Sequence, residues 1–397
     1  MACGAQAYRR AGLAVRVATL AIALATIASG CGSSFPLPTE RRIGREIPTD
    51  KSYQMLATWT GMAGITDILL TQGGGAQLFL LFNHGGTGTA PRGEVRGYPL
   101  TRPVPYGDID FPMLFNPVAL CAGGNRVFVL DQGDTLIAHT NPLTHLYGDT
   151  TGGFANPVKQ LGYYWRVRQY GLLGGLTDTS SFTDTTVAFV RGVAADDQGN
   201  VYVSGIGIIL VPDPSDARFH NRTFLSRIYK YLRGPRYPGV EPPDPNMPGA
   251  DWHRDTTWVI EEGSGVGTLV DPRGLHWSAA GGPALYAAEV GNNRAQRLSD
   301  RLPNAGFYAL DGAQSGQTFS APTAVSVDAM GYVYVTDTGN RRVLRFGPEQ
   351  EYVQRVDVEP DASGQPLRNP TAAAANDSVV YVADPGAAEV IRFKRRQ

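Results

Sequence analysis

What most narrows the fold of this 397-residue chain is a phrase that keeps returning. An apolar stretch, a Gly or Asn turn, an aromatic-x-x-acid segment and a further strand-like run follow one another. The clearest copy runs from Thr323 to Phe346, with Tyr334-Val335-Thr336-Asp337 at its centre and apolar side chains at every second position, the period of a β-strand. Further copies run from Gly274 to Leu298 with Tyr286-Ala287-Ala288-Glu289, from Pro370 to Phe393 with Tyr381-Val382-Ala383-Asp384, and from Gly192 to Tyr202 continued by Ser226 to Tyr231. Two copies are worn: Val118 to Ala138, with Phe128-Val129-Leu130-Asp131, and Ile65 to Phe82, with Phe79 at the aromatic place.

The aromatics at 79, 128, 202, 286, 334 and 381 are 49, 74, 84, 48 and 47 positions apart, a base period of about 48 with two long insertions. Several short strands per period of that length predict an all-β protein, a six-bladed β-propeller of four-stranded antiparallel blades, each burying its faces against its neighbours. With 48 Gly, 28 Pro and only 18% charged residues, the composition suits such a turn-rich chain. The phrase Tyr-Val-x-Asp-x-x-Asn-x-Arg-(Val/Ile)-x-x-Phe resembles the NHL repeat family, whose domains are usually six-bladed propellers. This resemblance is specific from Gly274 onward. In the third copy Ser204 and Gly205 stand where the acid belongs, and the first three copies lack the Asn-x-Arg element.

A closed ring leaves no unpaired edge between its last and first blades. The final copy stops at Phe393, one strand short, and the run Tyr53 to Trp59 is available to supply an outer strand. An N-terminal strand closing the last blade is therefore expected, with 51–397 forming the propeller.

Residues 1–30 read as targeting rather than structure. Arg9, Arg10 and Arg16 precede an apolar run from Val17 to Ile27, too short to span a membrane comfortably. It ends in Ala28-Ser29-Gly30-Cys31, which resembles the lipobox of bacterial lipoprotein precursors. That resemblance implies a lipidated Cys31, a membrane partner through the lipid, and a periplasmic or cell-surface location; an ordinary secretory signal is the alternative. Residues 31–50 read as a flexible tether. With Cys3 in the signal and Cys31 acylated, Cys121 has no disulfide partner and reads as a buried, inert thiol.

No catalytic constellation stands out. A net charge of −1 argues against nucleic acid. The acids at 131, 289, 337 and 384 recur in register, which suggests blade-stabilising bonds to the following turn, with Asp337 paired to Arg341, rather than a metal ring. The six histidines share no ligand spacing, so neither metal nor cofactor is expected. His276 is expected on the fourth blade's inner strand, facing the next blade near the channel, where a packed core histidine is the favoured reading and a ligand-binding residue the other. Both insertions flank the third blade. Gly171–Thr186 enters it, and Gly205–Thr223 reads as a loop carrying an apolar run beside Arg218, Phe219, His220 and Arg222, a mixture suited to an acidic or aromatic group. A lid packed on its own ring is the other reading of that loop. The Pro-rich stretch Pro235–Trp252 is expected on the opposite face, and Tyr163–Arg166 as outer strand. The functional expectation is a binding or scaffold protein for a protein, peptide or glycan; the alternative is a channel-sited hydrolase or lyase, lactonase-like and divalent-metal-dependent.

Overall fold

The computed structural model describes residues 53–396, except 72–75, 86–92, 107–110, 112–113, 133–135, 140–159, 164, 173–181, 185–186, 213–219, 234–251, 300–307, 311–316 and 357–366. The segments expected as signal and tether, with Cys31, lie outside the described residues.

Among the described residues every regular element but one short 3-10 turn is a β-strand. The chain begins with β1 (Tyr53–Thr60) and then builds a first sheet from β2 (Ile65–Leu70), β3 (Leu78–Asn83) and β4 (Gly93–Tyr98). Next come β5 (Pro117–Gly123) and β6 (Arg126–Asp131), a separate hairpin of β7 (Leu136–His139) and β8 (Gln160–Tyr163), and β9 (Arg166–Gly171), which completes the second sheet beside β6. The third sheet is β10 (Val187–Ala195), β11 (Val201–Pro212), β12 (His220–Arg233) and β13 (Trp252–Ile260). A fourth holds β14 (Pro272–Ser278), β15 (Ala284–Glu289), β16 (Arg294–Ser299) and β17 (Tyr308–Leu310). The fifth holds β18 (Ala324–Val327), β19 (Val333–Asp337), β20 (Arg342–Phe346) and β21 (Tyr352–Arg355). The sixth is β22 (Ala372–Ala375), β23 (Val379–Asp384) and β24 (Glu389–Arg395), with β1 laid on its outer edge.

That last pairing is antiparallel, from Tyr53 opposite Arg395 to Thr60 opposite Glu389. The missing outer strand is thus supplied by the residues expected to supply it. Burial joins the sheets in a cycle. Each of six apolar clusters is shared by two consecutive sheets: Leu69, Phe79 and Val129 join the first and second, for example, and Trp59, Ile65 and Tyr381 join the sixth back to the first. First strands touch in the same cyclic order, β2, β5, β10, β14, β18, β22 and again β2. The architecture is all-β and propeller-like, and no sheet has a core of its own.

Two details differ from expectation. Among the described residues the first two sheets have three strands, not four. Part of the first insertion is the β7/β8 hairpin inside the second sheet, so the expected outer strand around Tyr163–Arg166 is instead the end of β8 and the start of β9, the sheet's third strand. Trp165 between them is fully buried and donates its indole N–H to the Val187 carbonyl at 2.9 Å.

The recurring acids are buried and structural, and they bind both ways: Asn340 and Asn292 in the following turns donate to Asp337 and Glu289 at 2.8 and 2.7 Å, as expected, and the acids also bind backward. Each accepts backbone N–H groups from the connector that precedes its own sheet. Asp131 takes Phe115 and Asn116, Glu289 takes Val270, Asp337 takes Ser320 at 2.7 Å, and Asp384 takes Arg368 and Asn369. Asp337 pairs with Arg342 at 2.7 Å, not with Arg341, which caps the 3-10 turn in a left-handed conformation with φ 52°. Period two explains the correction: Arg342 is the first residue of β20 and lies directly opposite Asp337.

Candidate functional site

In an antiparallel meander the turn between second and third strands lies at the same end as the connectors between sheets. This connector face is where the molecule departs from its own repeat. In the second sheet β6 and β9 are separated by the β7/β8 hairpin, and β8 packs against β10 of the third. In the third, β11 and β12 run far past their neighbours. Pairing of β10 with β11 ends at Val187 opposite Gly207, whereas β11 and β12 stay in register for five more pairs, out to Pro212 opposite His220. Residues 205–212 and 220–223, expected as loop, are therefore a two-stranded ribbon; Ile208-Ile209-Leu210-Val211 is a β-branched and apolar run well suited to strand. His220 and Arg222 stand on β12 opposite Pro212 and Leu210. Arg218 and Phe219 lie outside the described residues, as does most of Gly171–Thr186 and all of the Pro-rich segment before Trp252, which links β12 to β13 in sequence.

His276 sits on β14, the fourth sheet's inner strand, half-buried. Burial lowers its pKa to about 4, against the opposing effect of a hydrogen bond with the Val327 backbone on β18, so it faces the next sheet as a neutral imidazole. No other candidate from the sequence joins it. Asp67, at an equivalent edge of β2, accepts N–H groups from Ile68 and from Leu120 on the neighbouring β5, at 2.8 and 2.9 Å. Burial pushes its carboxyl up to about 7, the two N–H bonds opposing. The Cys121 thiol is buried, and burial first and the Asp67 charge second push it well above the ordinary thiol range. Its burial is as expected, and a thiol so shifted carries little thiolate.

A cleft of about 370 Å³ opens where the closing strand hands over to the first sheet. Thr60, Met62, Phe82, His84, Glu94, Arg96 and Tyr98 line it with Pro103 and Pro105. Alternation on one face of the β3/β4 hairpin brings Phe82 and His84 together with Glu94, Arg96 and Tyr98. Glu94 Oε1 receives both His84 Nε2 and an Arg96 terminal nitrogen at 2.7 Å, while Arg96 Nε donates to Oε2 at 2.9 Å. His84 stacks on Phe82, and the Arg96 guanidinium lies 5.5 Å from the same ring. A histidine whose Nε2 proton is held by a carboxylate keeps Nδ1 as its basic nitrogen. Sequence reading passed over this group because its two halves come from different strands; the spacings Phe82-x-His84 and Glu94-x-Arg96-x-Tyr98 were its signal. Among the described residues no three His, Cys, Asp or Glu side chains are grouped to hold a metal.

Together these observations define an all-β protein of antiparallel sheets in a propeller-like cycle, decorated on its connector face. No protein-family model matches the chain, and no curated protein does. Solved structures with a similar path include a catalytically inactive variant of virginiamycin B lyase from Staphylococcus aureus with quinupristin, at TM-score 0.43 and 10% identity, covering 86% of this chain and 99% of that one. A selenomethionine form of virginiamycin B lyase from the same organism gives 0.41 at 10% identity, again over 86% and 99%. A streptogramin B lyase structure gives 0.45 at 10%, over 86% and 98%.

Proposed function

We propose that this chain is an exported NHL-like propeller of six four-stranded blades, anchored to the bacterial envelope by lipid on Cys31, that binds a protein, peptide or glycan partner on its connector face. The observation that carries the reading is the β11/β12 ribbon. Five residue pairs project beyond β10, and among the described residues neither edge of that stretch pairs with another strand. Free strand edges are templates for an added strand, and folded proteins seldom leave them open without use. Pull-down from an envelope extract with the lipid-free domain is expected to recover a partner that is lost when residues 205–223 are deleted. Retention by the deletion refutes the placement. Labelled fatty acid is expected to enter the full chain and not Cys31→Ser; equal incorporation removes the anchor.

One observation favours a second reading, a hydrolase or lyase: the Glu94-held His84 in a cleft of ligand size. This reading expects turnover of ester or lactone substrates that disappears in His84→Ala while the melting temperature holds. Activity undiminished by that substitution removes the cleft from the chemistry.

A further inference from the structure

Six inner strands share a register position that holds threonine three times, arginine twice and valine once. The residue directly after it pairs, in each sheet, at the equivalent step: Asp67 with Leu81, Ala119 with Leu130, Gly192 with Ser204, Gly274 with Ala288, Ala324 with Thr336 and Ala372 with Ala383. The position itself holds Thr66, Val118, Arg191, Arg273, Thr323 and Thr371. In the first four sheets it is the residue skipped by a register shift, and in the last two it stands just before the strand. None of the six is buried, as fits residues bulged from the free edge of the innermost strands toward the ring's axis. Two of the three threonines there bond sideways to the next sheet: the Thr323 hydroxyl donates to the Thr371 carbonyl at 2.9 Å, and Thr371 to that of Thr66 at 3.1 Å, while the Thr66 hydroxyl donates to the Leu81 carbonyl of its own sheet at 3.3 Å.

Arginine at 191 and 273 does something else. Both point at Asp271: Arg273 donates from Nε and a terminal nitrogen to Oδ2 at 3.1 and 3.0 Å, and Arg191 Nε stands 3.5 Å from Oδ1. Asp271 is held in a left-handed conformation, φ 45°, with its N–H given to the Ser226 hydroxyl at 3.1 Å. Among the described residues it is the one acid within ion-pair distance of either arginine; Glu261 is turned to Arg227, and Glu262 receives the Ser226 N–H. The Arg191 Nε is buried and makes no hydrogen bond among the described residues. Strands β10 and β14 are pressed together here, since a Cβ on Gly192 would lie 2.1 Å from the Arg273 carbonyl oxygen. One carboxylate therefore holds two adjacent guanidinium groups in place without using their donors up.

We propose that Arg191 and Arg273 form a binding site for an oxyanion, a carboxylate or phosphate carried by a ligand that enters the ring axis from the connector face. The site deepens the binding function proposed above by naming ligand chemistry on that face, and it rests on that reading. Calorimetric titration of the lipid-free domain with succinate and, separately, with inorganic phosphate is expected to show salt-sensitive binding of at least one, with a dissociation constant on the order of 1 mM, and none of trehalose. Succinate alone identifies a carboxylate ligand; phosphate alone identifies a phosphorylated one. Arg191→Gln and Arg273→Gln are each expected to weaken binding about tenfold or more, and Arg191→Lys, which keeps the charge but loses the planar fork, to weaken it less. No heat with either anion, or equal binding by a folded Arg191→Gln or Arg191→Lys domain and the parent, overturns the site. The two failures are distinguishable: a partner retained by the 205–223 deletion refutes the ribbon and leaves the arginine site to the titrations, whereas titrations that show no anion binding refute the arginine site even where the deletion loses the partner.

Discussion

Replacing Trp59 by alanine tests whether the two ends of the chain hold the cycle shut. Trp59 lies on β1, 2% exposed, with its ring 5.8 Å from Tyr98 of the first sheet and 6.1 Å from Tyr381 of the sixth. The Arg392 guanidinium sits 5.9 Å from it. Truncating a buried tryptophan costs about 3–5 kcal/mol in lost transfer energy and cavity formation, and the cation–π contact accounts for about 0.5–1 kcal/mol of that. Against a typical total of about 5–15 kcal/mol this is a large fraction. Leu56, on the same strand, is 44% exposed, so Leu56→Ala is expected to stay within about 0.5 kcal/mol. Urea unfolding followed by far-UV circular dichroism reads both. The tryptophan variant should lose several kcal/mol at unchanged m, and removal of residues 50–60 should abolish cooperative unfolding. A loss below about 1 kcal/mol for Trp59→Ala, or equal losses for the two variants, refutes closure through β1.

Asp67 supplies a pH test. Its folded-state pKa, about 7, is above the ordinary aspartate value of 3.8, so the native state keeps a proton that the unfolded chain releases. Its contribution is fully present below about pH 4 and is lost as pH rises to about 7, at no more than about 1.4 kcal/mol per unit. The stability difference between parent and Asp67→Asn should therefore shift in favour of the variant across that window; a difference independent of pH rejects the assignment. Gly192→Ala should cost about 1–3 kcal/mol, because the added methyl meets a main-chain oxygen at 2.1 Å that cannot swing aside. An unchanged melting temperature would mean the strands are not pressed together there.

How much of this could be read from the chain differs by feature. The repeat places the acids because each has the same task, tying a sheet's second strand to the connector before it, and the same task selects the same residue type. Asn340 and Arg342 clasp Asp337, and Asn292 and Arg294 clasp Glu289, so the Asn-x-Arg element is the acid's own partner set. The step from Arg341 to Arg342 is the kind of error a turn introduces, since the left-handed residue 341 absorbs one position before alternation resumes. In the first sheet Phe82 replaces the acid and packs in the cluster with Trp59, so the signature fades where the seam needs apolar surface instead. The ribbon was misjudged because repeat length marks residues 205–223 as surplus, and surplus reads as loop although its β-branched run favours strand. The Glu94-held histidine and the arginine pair needed geometry: each joins residues from different strands.

The pairing of β1 with β24 also sets a timetable. A ribosome delivers the chain from the N-terminus at about 5–20 residues per second, so Tyr53–Thr60 waits on the order of tens of seconds before Glu389–Arg395 exists to receive it. Throughout that interval Trp59 and the apolar face of β2 lack the sixth sheet, and the first sheet has one side bare. Assembly can begin anywhere along the array, yet its completion waits for Glu389–Arg395. A chain interrupted before Glu389 would leave β1 and the first sheet without the sixth, two sticky surfaces that are covered when the pairing forms, which makes such an interruption a source of aggregates rather than of a slightly smaller protein.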